Sequence, residues 1–204
     1  MINFASKEEK YFYWYLDELI KRNIVVAFKY QPKLFILADP VSVSYQKQLK
    51  TKAKTVNTGF LQDHTYQADF LLYWNPEYHG KIFVGHEDSL DCSIKKYPFI
   101  ANFSNQKKCY YSVVDVKGTY NQNDAWRRFS IEQKWVFQKY GIYVQKIITH
   151  PQVTKEGKMI PATALFPNTF VPKRFLLTDK SEAKRKINYD TTSIKVYIQK
   201  LSFL

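Results

Sequence analysis

The sequence predicts a mixed α/β fold, and three observations carry that expectation. A capped helix opens the chain. Two strand-forming segments follow at a distance, Tyr66 to Trp74 and about Cys109 to Lys117. A second helical pattern, ended by Gly141, then leads straight into another apolar strand segment. Helix, strand, strand, helix, strand in that order describes a sheet covered by helices.

Ser6 suits an N-cap, and Glu9 three residues later completes a capping box before "KYFYWYLDELIKRN". Phe12, Leu16, Leu19 and Ile20 recur there at helical spacing, and Asn23 can end the helix. "IVVAFKYQPKLFIL" is β-rich, and Pro32 divides it into two short strands. Residues 39 to 65 are mostly polar and contain "YQKQLKTKAKT", four lysines with no acid, which reads as an extended loop. "YQADFLLYW" is dense in aromatic and aliphatic residues and carries one acid, Asp69, inside the strand. Residues from about 76 to 108 read as an insertion between two paired strands, in which "KIFVG" and "YPFIANF" supply short strands. The strand ending in Lys117 follows. "FSIEQKWVFQKYG" places Phe129, Trp135, Val136 and Tyr140 on a helix, and "IYVQKII" is a buried strand. Core residues 1 to 149 are thus followed by an extension, 150 to 204, marked by Pro151, Pro161 and Pro167, whose last residues alternate well enough for a terminal strand.

The chain has 204 residues, and 17% of them are aromatic, enough for a sizeable core and for stacking on bases. Its 31 Lys and Arg against 18 Asp and Glu give a formal charge of +13, a field that attracts polyanions, nucleic acid first among them. A membrane partner is not expected, because no run of about 18 apolar residues is present. With no secretory signal pattern at the amino terminus, a cytoplasmic location is expected, and the two cysteines are not expected to form a disulfide framework.

Chemistry is expected at the two strand ends. Side chains alternate along a strand, so Asp115 and Lys117 share one face while Val114 and Val116 occupy the other. Alone, this pair reads as a solvated ion pair rather than as half of an active site. With Asp69 on a neighbouring strand, two carboxylates meet, and paired oxygen donors suit Mg²⁺, with Mn²⁺ able to substitute. Such a cation turns a water into a nucleophile and shields a phosphodiester, and Lys117 beside it neutralises developing charge.

The ordered set "SKEEKYFYWYLDEL", "YQP", "ADFLLYW", "VVDVKG", a Phe-led helix and "YGIYV" resembles the PD-(D/E)xK, or restriction-endonuclease-like, nuclease superfamily, nearest its small phage- and plasmid-borne branch. The likeness spans about residues 6 to 149. It implies a central mixed sheet of about four strands flanked by helices, and Mg²⁺-dependent endonucleolytic hydrolysis of DNA phosphodiesters. Carried onto this chain, it implies Asp69 and Asp115 as metal-binding acids, with the Val116 backbone carbonyl as a further ligand and Lys117 as the motif lysine. Glu9 matches an acid on the first helix, although its capping box explains it equally. Lys134, or its neighbour Gln133, matches a polar position on the second helix. Lys50, Lys52, Lys54, Arg127 and Arg128 are the expected phosphate contacts. A homodimer is expected if two strands are cut in concert. The competing readings are a non-catalytic nucleic-acid-binding protein on the same fold and an interaction protein of a mobile element.

Overall fold

A computed structural model of the chain describes residues 3–32, 34–88, 99–117 and 125–148, with two short segments at 152–153 and 159–160. Helix α1 is Lys7–Lys21, followed by β1 Val25–Tyr30, β2 Phe35–Ala38, β3 Val41–Gln48, β4 Ala53–Leu61, β5 His64–Tyr66 and β6 Phe70–Trp74. A single 3-10 turn, Pro76–Tyr78, leads to β7 Phe83–Gly85, β8 Phe99–Ser104 and β9 Cys109–Lys117. Helix α2 is Ala125–Tyr140, β10 is Val144–Ile148, and β11 Gln152–Val153 pairs with β12 Met159–Ile160. The rest of the expected C-terminal extension, including its terminal strand, lies outside the described residues. So does the link between β9 and α2, residues 118–124. No helix among the described residues is long and apolar enough to cross a membrane.

The caps of α1 follow the sequence. Glu9 N–H donates to Ser6 Oγ at 3.1 Å, and Ser6 Oγ donates to Glu9 Oε1 at 3.0 Å. At the other end Asn23 takes a positive φ of 55°, its N–H reaching the Ile20 carbonyl and Ile24 N–H the Leu19 carbonyl, the two bonds of a Schellman motif. Gly141, with φ 65°, ends α2 in the same left-handed conformation.

The central sheet is mixed and has six strands, ordered β1-β6-β9-β8-β7, with β10 also paired to β9. Strands β1, β6 and β9 form an antiparallel meander, and β10 returns parallel to β9 after α2. Two strands beyond the expected four come from the insertion: β8 pairs with residues 109–111 of β9, and β7 pairs with β8. Because β10 pairs with residues 113–117, β8 and β10 line the same edge of β9 one after the other. Asn102 joins them, accepting the Tyr143 N–H at 2.7 Å and donating to the Tyr143 carbonyl at 3.0 Å.

Each face of the sheet has its own core. Phe12, Tyr15, Leu16 and Leu19 of α1 pack on Phe70, Leu72, Val114, Val116 and Ile147. On the other face Phe129 and Val136 of α2 pack with Val113, Val144, Tyr66 and Leu37. Each such fully buried side chain contributes about 1.5–3 kcal/mol. Three helical positions expected inside lie out: Ile20, Trp135 and Tyr140 are exposed.

Two sequence expectations change. Tyr66 to Trp74 is not one strand, because β5 ends at Tyr66 and pairs with β2, while β6 starts at Phe70. The bend between them is held by Gln31 N–H donating to the Asp69 carbonyl at 2.7 Å and by Gln67 donating to the Pro32 carbonyl at 3.0 Å. Residues 39 to 65 are not a loop either; they hold the β3–β4 hairpin, in register from Ser42↔Gly59 to Gln48↔Ala53 with the Val41↔Leu61 pair beyond a register shift. Alternation hid among polar residues there, because no core selects one face as apolar.

Replacing Asn102 by Ala leaves Tyr143 N–H without its acceptor where β8 gives way to β10. Urea denaturation should show a loss of about 1–3 kcal/mol, the usual cost of an orphaned buried donor. A change below about 0.5 kcal/mol would mean that the junction between the two strands is held by something else.

Candidate active site

The candidate site lies where β6 begins and β9 ends. Phe70 is registered against Val114, so Asp69, one residue earlier, stands opposite Asp115. Opposed residues of an antiparallel pair share a face, and Leu71 and Val113, two residues further in, lie together on the α2 side. The Asp69 N–H donates at 3.0 Å to the carbonyl of Val114, the residue already registered with Phe70, so the regular ladder stops here. Its side chain then takes over. Asp69 Oδ2 accepts the Val116 N–H at 2.6 Å, filling a ladder position that β6 no longer reaches. The N–H and C=O of one strand residue point to the same edge, which directs the Val116 carbonyl toward Asp69 as well.

Asp115 is buried, with 4% of its surface exposed. Tyr66 Oη donates to its Oδ2 at 2.7 Å. Lys117 Nζ stands 2.5 Å from Oδ1 as an ion pair, yet Oδ1 accepts no hydrogen bond of normal geometry. Packing orients the lysine, whose Nζ lies 5.1 Å from the centre of the Phe129 ring. A buried carboxylate oxygen so placed is an acceptor without a full complement of hydrogen bonds.

Sequence reasoning missed two residues here. Lys146 of β10 is registered beside Asp115 in the parallel ladder and so shares its face. Burial, then the positive charge of Lys117, holds its ammonium below the ordinary lysine range, with Asp115 acting in the opposite sense. The signal was available in "YVQKII", a lysine on the face of a buried strand. Tyr66 is the other; burial and the adjacent Asp115 push its phenol far above the ordinary tyrosine value. Its role could not be read without the break between β5 and β6.

The remaining expected residues lie in three places. Glu9 is buried at the start of α1, where its Oε2 accepts from Ala5 N–H at 3.2 Å and Tyr30 Oη at 2.7 Å. Its cap and Tyr30 occupy both carboxylate oxygens, and Asp69 feels its charge. Lys134 lies on the exposed flank of α2, whereas its neighbour Gln133 donates to the Val144 carbonyl and ties α2 to β10. Arg127 and Arg128 are exposed in the first turn of α2, with Arg128 Nε 3.8 Å from Glu132 Oε1. Lys50, Lys52 and Lys54 sit at the exposed tip of the β3–β4 hairpin, away from the carboxylates in sequence and in pairing.

Two acids at one point have an electrostatic consequence. Burial first, and then the negative charge of Asp115, push Asp69 from 3.8 up to about 7. The Val116 hydrogen bond and Lys117 pull it down without cancelling the rise. Hard oxygen donors, one of them short of partners, beside an acid that resists ionisation are the donor chemistry of a divalent cation site. Among the described residues no group of three His, Cys, Asp or Glu converges, so protein carboxylates would supply two ligands and leave room for water and phosphate oxygens. Comparison with family models, curated proteins and solved structures finds no match to this chain.

Because Asp69 binds its proton more tightly folded than unfolded, its contribution to stability is greatest below about pH 4 and is lost as pH rises toward about 7. Asp69→Asn keeps an acceptor for Val116 N–H and removes the titration. In chelator, denaturation from pH 5 to 8 should show the variant gaining at least about 1 kcal/mol on the native chain, each unit being worth ~1.4 kcal/mol. Parallel pH profiles would show that Asp69 ionises freely.

Proposed function

We propose that the chain is a Mg²⁺-dependent nuclease that hydrolyses DNA phosphodiesters on a restriction-endonuclease-like core. The observation that carries this reading is the convergence of Asp69 and Asp115 with two lysines, Lys117 and Lys146, at one end of the sheet. The order α1, β1, β6, β9, α2, β10, with three antiparallel strands and one parallel return, supports it as a four-stranded mixed core carrying added strands.

Asp69, Asp115 and the Val116 carbonyl would hold the cation. When bound, Mg²⁺ supplies charge shielding at the scissile phosphate and lowers the pKa of water. Everything else falls to the chain. Tyr66 fixes the rotamer of Asp115 by holding one oxygen in a hydrogen bond, which turns the other toward Lys117. Lys117 presents its ammonium where negative charge grows on the phosphoryl oxygens during water attack, an interaction that strengthens toward the transition state. Lys146, registered beside Asp115 with its ammonium held below the ordinary lysine range, is placed to orient the attacking water or protonate the leaving oxygen. The net charge of +13 supports a polyanionic substrate.

The test uses purified full-length chain with duplex, branched and single-stranded DNA, in Mg²⁺, Mn²⁺ or chelator. Cleavage should require the cation, and Asp115→Ala should abolish it while binding persists. Lys117→Ala should slow it by ~10²–10³-fold, the scale of losing one preorganised charge donor. Independently of activity, Mg²⁺ should raise the Tm of the native chain at pH 8 and leave that of Asp69→Asn unchanged. Binding without cleavage under every cation condition would instead support a nucleic-acid-binding protein on this fold.

A further inference from the structure

The β3–β4 hairpin stands apart from the central sheet. Among the described residues its two strands pair only with each other, every residue of β3 is exposed, and in β4 only Val56 is partly covered. A lone two-stranded hairpin is marginal in water. Side-chain bonds reinforce this one: Ser44 Oγ donates to Asn57 Oδ1 at 2.6 Å and Gln46 Nε2 to Thr55 Oγ1 at 2.8 Å. The register sorts the side chains. Val43, Tyr45, Lys47, Lys54 and Val56 share one face, while Ser44, Gln46, Gln48, Thr55 and Asn57 share the other.

Charge is the second observation. Between Asp39 and Asp63 the chain has four lysines, Lys47, Lys50, Lys52 and Lys54, and no acid. Lys47 is registered directly opposite Lys54, a like-charged pair that destabilises a hairpin in isolation. Leu49 N–H closes the turn on the Lys52 carbonyl at 2.8 Å, which gathers all four cations at the tip. A second copy of the hairpin would bring eight cations together. A polyanion relieves the repulsion.

We propose that this hairpin is a β-ribbon arm that enters the major groove of double-stranded DNA, its Gln- and Asn-bearing face toward the base edges, with Lys47 and Lys54 on the opposite face and Lys50 and Lys52 at the turn reaching the phosphates along the groove rim. This rests on the nucleic-acid part of the reading above and not on catalysis. The dimensions agree: eight residues of β3 extend about 27 Å, and two strands about 4.8 Å apart fit a groove ~12 Å wide. Gln46, Gln48 and Asn57 supply amides of the kind that pair with adenine N6 and N7. The deep, narrow major groove of duplex RNA excludes such a ribbon.

The test compares the native chain, Asp115→Ala and a variant carrying Lys47→Gln, Lys50→Gln, Lys52→Gln and Lys54→Gln, all exposed changes whose folding is checked by Tm. Affinity is measured across a salt series for a 25-base-pair DNA, the same sequence as duplex RNA, and the single strand. The lysine variant should lose ~10²-fold on duplex DNA, and its log–log salt slope should become shallower by about 2 to 4, since each neutralised phosphate contributes about 0.9. Bound Asp115→Ala should protect guanine N7 from methylation, and the lysine variant should not. An unchanged salt slope, or equal loss on duplex RNA and single strands with N7 still accessible, overturns the arm and leaves the nuclease reading standing. Cleavage absent from Mg²⁺ reactions with N7 protection intact does the reverse.

Discussion

The hydrogen bond from Val116 N–H to the Asp69 carboxylate is the contact on which the candidate site depends. Strand β6 begins too late to satisfy the end of β9, and a side chain stands in for the missing backbone carbonyl. That substitution aims the carboxylate along the sheet edge and sets it opposite Asp115. A charge-assisted bond of this kind is stronger than the ladder bond it replaces. It is also what keeps Asp69 from rising further above the ordinary carboxylate range, because it favours the ionised form against burial and against Asp115. Structure and site thus share one interaction, and the bend at Gln31 and Gln67 that delivers Asp69 to it belongs to both.

The two faces of the sheet divide the work. The α1 face is closed by aromatic and aliphatic packing that surrounds Phe70 and Val114, and it anchors β6 and β9 against each other. The α2 face is apolar through Val113, Phe129, Val136 and Val144 and turns polar at Asp115, Lys117 and Lys146. Parallel pairing of β9 and β10 brings the last two elements of that set to the same strand end. An antiparallel β10 in the same place would direct the chain the other way and carry Lys146 out of register with Asp115.

The insertion between β6 and β9 leaves their pairing intact because it adds strands at an edge. Strand β8 covers the first third of β9, Asn102 splices it to β10, and Ser112 receives the Trp74 indole N–H at 2.8 Å while donating to the Ile100 carbonyl at 2.7 Å. These polar links are buried and fully paired, so they fix register where hydrophobic contact alone tolerates sliding. The hairpin of β3 and β4 is the opposite kind of addition, connected at its base and otherwise solvent-facing.

Local pattern by itself determined the helices and their ends, since Ser6, Glu9, Asn23 and Gly141 act on neighbours three or four residues away. It also determined that Asp115 and Lys117 share a face, and that the meander strands exist, because apolar runs of that length must be buried. Tertiary structure decided the rest. Whether Tyr66 belongs with β2 or with β6 and whether Lys146 stands beside Asp115 depend on partners tens of residues away, and the hairpin within residues 39 to 65 rests on a register that no apolar face announces. Polar groups such as the buried Asn102 and Ser112 and the half-buried Gln133 carry no periodic signal, and their partners exist only once strands are registered. The residue types announced an acid pair and a lysine; only the strand break before Phe70 and the parallel return of β10 set how those charges meet, because electrostatics and hydrogen bonding act across space and not along the chain.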